Sequence, residues 1–298
     1  MTGRVIVFGS INLDTVMTVE HIARPGETVA GSALQTFPGG KGGNQALAAR
    51  ATGADVSLIG KVGNDAAGAE MLDFYRARNL SVDAIGESAE PTGAAFIQVE
   101  ATSGENSIVV VAGANGDFVP ADLARIAIGA EDVVMSQFEV PMDAIEALFN
   151  RARAAAARTI LNPAPAREIS RELLFLTDDL IVNETELAFL GGDGEPITIA
   201  RRLIARDGQR VIVTCGADGA LAVDAEAVVR IPGRAVTTLD TTGAGDCFCG
   251  VYAACLAAGD GISTAVRIAN TAASISVTRQ GAATSMPSWA DIQQALED

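Results

Sequence analysis

The sequence predicts an α/β protein built on a doubly wound, mainly parallel sheet flanked by helices, with a small β-sheet lid. Three observations point there. Short apolar runs recur and alternate with helix-length segments: Val5 to Phe8, Val56 to Ile59, Asp132 to Met135, Thr159 to Leu161, Leu180 to Val182 and Arg210 to Thr214. Parallel strands are buried on both faces and read as continuous apolar runs, so this repetition implies a sheet covered by helices on each side. Glycine-rich turns stand where helices begin, notably Gly39 to Gly43 and Gly243 to Gly245. Two stretches, at about residues 15–38 and 93–112, alternate in the manner of strands and lack helical periodicity. They form a discontinuous lid on what is otherwise a single α/β domain spanning residues 1–298.

Composition narrows the function classes. The chain has 298 residues, 49% of them hydrophobic, which suffices for a sizeable core. Its net charge of -16 disfavours nucleic acid and anionic membrane surfaces as partners. A small polyphosphate is still acceptable, because local N–H groups, a helix end and a metal counter-ion can hold it whatever the overall charge. No apolar run approaches the ~18 residues of a membrane span, and no charged leader precedes Arg4 to Phe8, so a cytoplasmic location is expected. Cys215, Cys247, Cys249 and Cys255 lack metal-ligand or C-x-x-C spacing and read as reduced core residues. His21 lies beside Arg24-Pro25-Gly26 and reads as a surface side chain, which removes most histidine-dependent mechanisms.

Taken in order, Val5 to Phe8 is a buried strand opening at Gly9-Ser10 onto a loop that carries Asn12, Leu13 and Asp14. Ligands collect at the carboxyl ends of such strands, although an Asx-turn explains the polar pair equally well. Val16 to Phe37 reads as short lid strands ending at Pro38. Gly39 to Asn44 then opens a helix stopped by Gly53; its spacing is not that of the Walker phosphate loop, yet it offers N–H groups and the Lys41 cation. Strand-then-helix patterns follow at Val56 to Ile59 with Asp65 to Arg78, and at Asp132 to Met135 with Pro141 to Arg158. Between them, Gly93 to Val99 and Asn106 to Val111 flank Ala101 to Glu105 as a hairpin. A sheet with one apolar face uncovered must close over a ligand or pair with a partner.

Glu139, and Asn183-Glu184-Thr185-Glu186, stand just after strands, where an acid serves a helix start as readily as a ligand. Another glycine-bearing turn, Cys215 to Gly219, follows the strand ending at Thr214. The most informative stretch is Leu239 to Asp246. Gly243-Ala244-Gly245 lets successive N–H groups converge, and Cys247 to Cys255 is apolar enough to be a buried helix. The first turn of that helix adds unpaired N–H groups and a positive dipole end, which favours an anion. Asp246 either caps the helix or faces the anion and accepts a proton from an attacking hydroxyl. Helices at about Ile262 to Thr278 and Trp289 to Glu297 complete the chain. The polar groups at the strand ends form a rim on one edge of the sheet, suited to transfer of a phosphoryl group to a polyol.

Five motifs occur in order: Ser10-Ile11-Asn12-Leu13-Asp14, Gly39 to Asn44, Asn162-Pro163-Ala164-Pro165-Ala166-Arg167, Asn183-Glu184-Thr185-Glu186, and Asp240 to Asp246. Together they resemble the ribokinase family of sugar kinases (PfkB kinases) over nearly the whole chain. The resemblance implies ATP-dependent transfer of the γ-phosphoryl to a sugar hydroxyl, with ribose favoured. It implies Asp246 as the base, with the Gly243, Ala244 and Gly245 N–H groups stabilising the transferring phosphoryl. Asn12, Leu13, Asp14, Gly40, Lys41, Gly42, Gly43, Asn44 and Glu139 would surround the sugar, Lys41 touching either the sugar or a phosphate oxygen. Asn183, Thr214, Cys215, Gly216, Ala217, Asp218, Gly219, Gly245 and Asn270 would surround ATP. Glu186 would organise magnesium (Mg²⁺) through water.

Asp240, the Thr242 carbonyl, Ser276, Arg279, Gly281 and Ser285 match where the family holds a monovalent cation, suited to potassium (K⁺); the alternative is a plain turn held by Asp240. Family habit also implies a homodimer through the lid sheets. Other candidates are a family kinase acting on fructose, a keto-deoxy acid or a nucleoside, and a non-catalytic sensor. No arginine is assignable to a keto acid's carboxylate, 4% aromatic content supplies little for a base slot, and an intact Asp246 argues against a sensor.

Overall fold

The computed structural model describes residues 3–297. Strand β1 (Val5–Phe8) is buried along its length, with Val5 and Val7 in one apolar cluster and Ile6 and Phe8 in another. Alternate side chains therefore feed two separate cores, one on each face of the sheet. In chain order there follow β2 (Asn12–Val19), β3 (Gly31–Gly39), α1 (Lys41–Ala51), β4 (Val56–Gly63), α2 (Ala66–Arg76), β5 (Ile85–Ser88), β6 (Ala94–Glu100) and β7 (Asn106–Val111). Next come β8 (Val133–Gln137), α3 (Met142–Ala154), β9 (Arg158–Asn162), α4 (Arg171–Leu176), β10 (Asp179–Asn183), α5 (Glu184–Gly191) and α6 (Pro196–Leu203). The chain ends with β11 (Arg210–Thr214), β12 (Gly219–Val223), β13 (Val228–Pro232), α7 (Ala244–Ala257), α8 (Ile262–Ser276) and α9 (Trp289–Glu297).

The main sheet has the order β13-β12-β11-β10-β9-β8-β1-β4-β5, parallel from β11 to β5 and antiparallel at β12 and β13. From β1 the chain winds one way through β4 and β5, then returns to β8 on the other side and winds outward to β11. β1 and β8 thus flank the switch point, and the crevice beyond their carboxyl ends is where this architecture receives a ligand. Helices α1, α2, α7, α8 and α9 contribute to one core and α3 to α6 to the other.

The lid is the separate sheet β3-β2-β6-β7. Its β6–β7 hairpin lies where the alternation predicts, and Leu34, Phe96, Ile108 and Val110 are exposed on it. The lid begins earlier than residue 15, however. Asn12 to Asp14 belong to β2 and pair with Phe37 to Gly39, so they are strand residues and not an Asx-turn. Pairing satisfies their backbone groups through a ladder, which leaves the side chains available. Two further expectations are corrected. α3 stops at Ala154 because the chain turns through Ala156 (φ 58) into β9, and the β12–β13 hairpin extends the sheet beyond the last predicted strand.

α1 crosses α7 at close range. A Cβ placed on Gly250 of α7 would lie 2.2 Å from the Gln45 carbonyl oxygen and 2.7 Å from the Ala48 Cβ, so only glycine permits this approach. No helix among the described residues is long and apolar enough to cross a membrane.

Candidate active site

Asp246 sits in the first turn of α7, 7% exposed. Gly243, at φ 75, is the N-cap, and no side chain caps the helix. Of the two roles open to Asp246, the cap is excluded. Its carboxylate faces α1 instead, where Asn44 Nδ2 donates to Oδ2 at 2.9 Å and Gln45 Nε2 donates to Oδ1 at 3.0 Å. Ala244 N–H closes the turn by donating to the Thr241 carbonyl at 3.2 Å. Among the described residues no protein acceptor takes the N–H of Gly243, Gly245 or Asp246, so those three donors stay unpaired at the positive end of α7, a setting that favours an anion.

The strand-end acids are drawn together beside this turn. Glu139 Oε2 accepts from Ser10 Oγ at 2.5 Å and from the Lys41 N–H at 3.1 Å. The glycine-rich entry to α1 makes this possible: Gly40 has φ 84, and a Cβ there would stand 2.7 Å from the Asn12 nitrogen. Asn12 Oδ1 accepts from Asn115 Nδ2 at 2.7 Å. Burial, and then the charge of Glu139, push the Asp14 carboxyl up to about 6. Asp14 Oδ1 and Asn44 Oδ1 are buried without a partner among the described residues, two acceptors suited to hydroxyl donors. The Asp246 charge, joined by Glu139 and Glu186, raises the Lys41 ammonium pKa against the opposing effect of burial.

Beyond Asp246 opens a cavity of about 730 Å³. Lys41, Asn183, Glu186, Gly243 to Asp246 and Asn270 lie on its walls, with Thr214, Gly216, Ala217 and Gly219 from the turn after β11. Cys215 and Asp218 of that turn do not line it; the Cys215 thiol points back to the Val213 carbonyl. Asn270 Nδ2 donates to the Pro232 carbonyl at 3.1 Å, tying α8 to the end of β13. Asn183 and Glu186 form a capping box on α5, each side chain accepting from the other's N–H, at 2.8 and 2.9 Å. The helix-start reading of these two residues therefore holds, and both still line the cavity. Burial raises the Glu186 carboxyl pKa above its ordinary value, more than the Asn183 bond and Lys41 lower it.

Asp240 holds the loop before α7, accepting at Oδ1 from the Thr242 N–H (2.9 Å) and hydroxyl (2.7 Å), and at Oδ2 from the Gly281 N–H (2.8 Å). Burial opposes ionisation, but these three donors outweigh it and hold the pKa below the usual value. Ser276 and Ser285 donate their hydroxyls to the Ala273 and Ala282 carbonyls, and the Arg279 side chain goes to Asp291. Among the described residues no three His, Cys, Asp or Glu side chains converge to hold a metal unaided.

The sequence of the chain matches a known family. The profile of the pfkB family carbohydrate kinases matches residues 2–289. The chain belongs to this family. Among its PfkB relatives, the ribokinase of Staphylococcus aureus is 36% identical, over 99% of this chain and 100% of that protein. The crystal structure of a ribokinase from Thermotoga maritima superposes with a TM-score of 0.89 at 31% identity, covering 99% of each chain. Arabidopsis thaliana ribokinase complexed with ribose and ATP superposes with a TM-score of 0.89 at 28% identity, covering 100% of each chain. As a member of the PfkB family, the protein is a kinase with the ribokinase-like fold.

Sequence reasoning missed Gln45, Gln137 and Asn115. Gln45 had a signal, a second amide beside Asn44 at the entry to an alanine-rich buried helix, where a polar side chain needs a partner. Asp14 yields a pH prediction. Its folded pKa of about 6 lies above the ordinary carboxyl value of 3.8, so in that window the native state binds more protons and this group's effect on stability becomes unfavourable as pH rises. Asp14→Asn should therefore be more stable than the parent at pH 8 by about 1–3 kcal/mol, the difference vanishing below about pH 4, as read by urea unfolding without sugar. A difference independent of pH would contradict this assignment.

Proposed function

We propose that the protein transfers the γ-phosphoryl of ATP to the primary hydroxyl of a pentose, D-ribose before others, giving D-ribose 5-phosphate. The observation that carries this reading is the seat of Asp246: a carboxylate oriented by two amides at the mouth of α7, on the wall of the large cavity. Ribose as acceptor is supported by the relatives' identity as ribokinases and by the Arabidopsis complex with ribose and ATP. In this reading the sugar hydroxyls donate to Asp14 Oδ1 and Asn44 Oδ1, with Asn12, Leu13, Gly40, Gly42, Gly43 and Glu139 shaping the rest of the site. A sugar lacking one of these hydroxyls leaves a buried acceptor unpaired, which is the source of selectivity.

Asp246 takes the proton of the attacking hydroxyl, while the Gly243 and Gly245 N–H groups and the α7 dipole stabilise charge on the transferring group. Lys41, on the same cavity wall, adds a fixed positive charge there. Asn183, the Thr214 to Gly219 turn and Asn270 hold the nucleotide. The lone buried Glu186 fits Mg²⁺ that arrives on the nucleotide and is reached through water, since Mg²⁺ keeps part of its hydration shell and needs no protein cage. K⁺ fits beside Asp240 with main-chain oxygens of Thr242, Ser276, Arg279, Gly281 and Ser285, where it would steady the loop that aims Gly243 to Gly245. Because protein donors already hold Asp240, the cation's effect on rate is graded. The exposed apolar residues of the lid support a homodimer formed through it.

A coupled ADP-release assay over a sugar panel should single out ribose. Asp246→Asn should lose about 10²–10⁴ in kcat while calorimetry shows ribose still bound; turnover at the parent rate would refute the base. Replacing potassium by sodium should slow turnover, and equal rates would remove K⁺ from the account. Light scattering should show a dimer that Ile108→Asp with Val110→Asp dissociates; a parent monomer contradicts the lid interface.

A further inference from the structure

We propose that Gln45, itself held by Gln137, is a positioning residue that fixes the orientation of the Asp246 carboxylate. The proposal rests on Asp246 being the base and adds a residue to that site. Asn162 Nδ2 donates to the Ile181 carbonyl at 3.0 Å, so Asn162 Oδ1 is left facing Gln45 as an acceptor. The ionised Asp246 carboxylate is also an acceptor only. Gln45 meets both with Nε2, at 3.2 Å from Asn162 Oδ1 and 3.0 Å from Asp246 Oδ1. Its Oε1 then points the other way and accepts from Gln137 Nε2 at 2.5 Å.

A flipped Gln45 would set an oxygen against two acceptors and an NH₂ against the Gln137 donor. The Nε2 end of Gln45 is therefore fixed by two acceptors, Asn162 Oδ1, itself oriented by the Ile181 carbonyl, and the Asp246 carboxylate; Gln137 answers with its Nε2, and its own Oε1 is buried without a partner among the described residues. Gln45 and Gln137 are fully buried, so no water takes over either bond. With Asn44 on Oδ2 and Gln45 on Oδ1, neither oxygen of Asp246 is free to rotate, and the base requires little reorganisation when the sugar arrives. The two amides differ in one respect. Asn44 keeps an unpartnered Oδ1, whereas both polar ends of Gln45 are engaged within the protein, which leaves it no atom for substrate. The charged or titratable groups around Asp246 are Lys41 of α1, Glu186 of α5 and Cys247 and Cys249 of α7; β8 contributes the neutral Gln137.

The test is steady-state kinetics with ribose and ATP from pH 5 to 9 on Gln45→Met, Gln137→Leu and Asp246→Asn. Removing a donor to the ionised carboxylate favours its protonated form. Gln45→Met should lower kcat at least ~10-fold near neutral pH, leave both KM values within about threefold, and move the acid limb of kcat/KM upward by about one unit, a tenfold change in proton affinity. Gln137→Leu should act in the same direction but less, and it decides alone should a thermal melt show Gln45→Met unfolded. Parent kcat with an unmoved acid limb, or a loss carried by KM, would overturn the positioning role. Asp246→Asn separates the two levels. If that variant retains parent turnover, the base assignment fails and this proposal with it; if it is inactive while the glutamine variants behave as the parent, only the positioning role is lost.

Discussion

The crossing of α1 and α7 is the constraint on which the rest of the structure depends. Asp246 and the two amides that hold it are 202 and 201 residues apart in sequence, and they meet only because the helix backbones approach to a distance that Gly250 permits. The same approach sets the mouth of α7 beside the switch point of the sheet. The Asp246 carboxylate, the mouth of α7 and the carboxyl ends of β1 and β8 are thereby brought to one place by packing.

Around that contact the protein accepts unfavourable electrostatics. Asp14 is largely withdrawn from water and near Glu139, which makes its ionised form costly. Lys41 answers part of this charge, since Asp246, Glu139 and Glu186 all favour its protonated state. Buried acceptors without partners, such as Asp14 Oδ1 and Asn44 Oδ1, add to the cost. In the proposed sugar site a bound polyol would supply hydroxyl donors to both acceptors.

Much of the fold was legible because parallel strands covered on both faces leave unbroken apolar runs, as at Val5 to Phe8 and Arg210 to Thr214. The β12–β13 hairpin was not, because its first strand, Gly219 to Val223, is made of small residues directly after a turn that reads as a ligand loop. The identity of Asp246 as the central acid was legible from the glycine turn and the apolar helix behind it. Whether it caps the helix was not, since an acid at a helix mouth serves either purpose; Gly243 takes the cap position and Asp246 turns instead to Asn44 and Gln45, on a helix some two hundred residues earlier in the chain. Asn183 and Glu186 show the converse, for their spacing is that of a capping box and the structure realises it. Asn12 and Asp14 were read as loop residues because polar side chains at a strand end look alike whether the chain turns or starts a new ladder.

The central claim is that Asp246 and the N–H groups at the mouth of α7 hold an attacking hydroxyl in line with a nucleotide's terminal phosphorus. A crystal structure of the protein with ribose and a non-hydrolysable ATP analogue measures this directly. The account predicts the sugar's primary hydroxyl oxygen within about 3 Å of an Asp246 carboxylate oxygen, with the terminal phosphate on the Gly243 and Gly245 N–H groups. A ribose whose primary hydroxyl is held elsewhere, with Asp246 touching only Asn44 and Gln45, would contradict it.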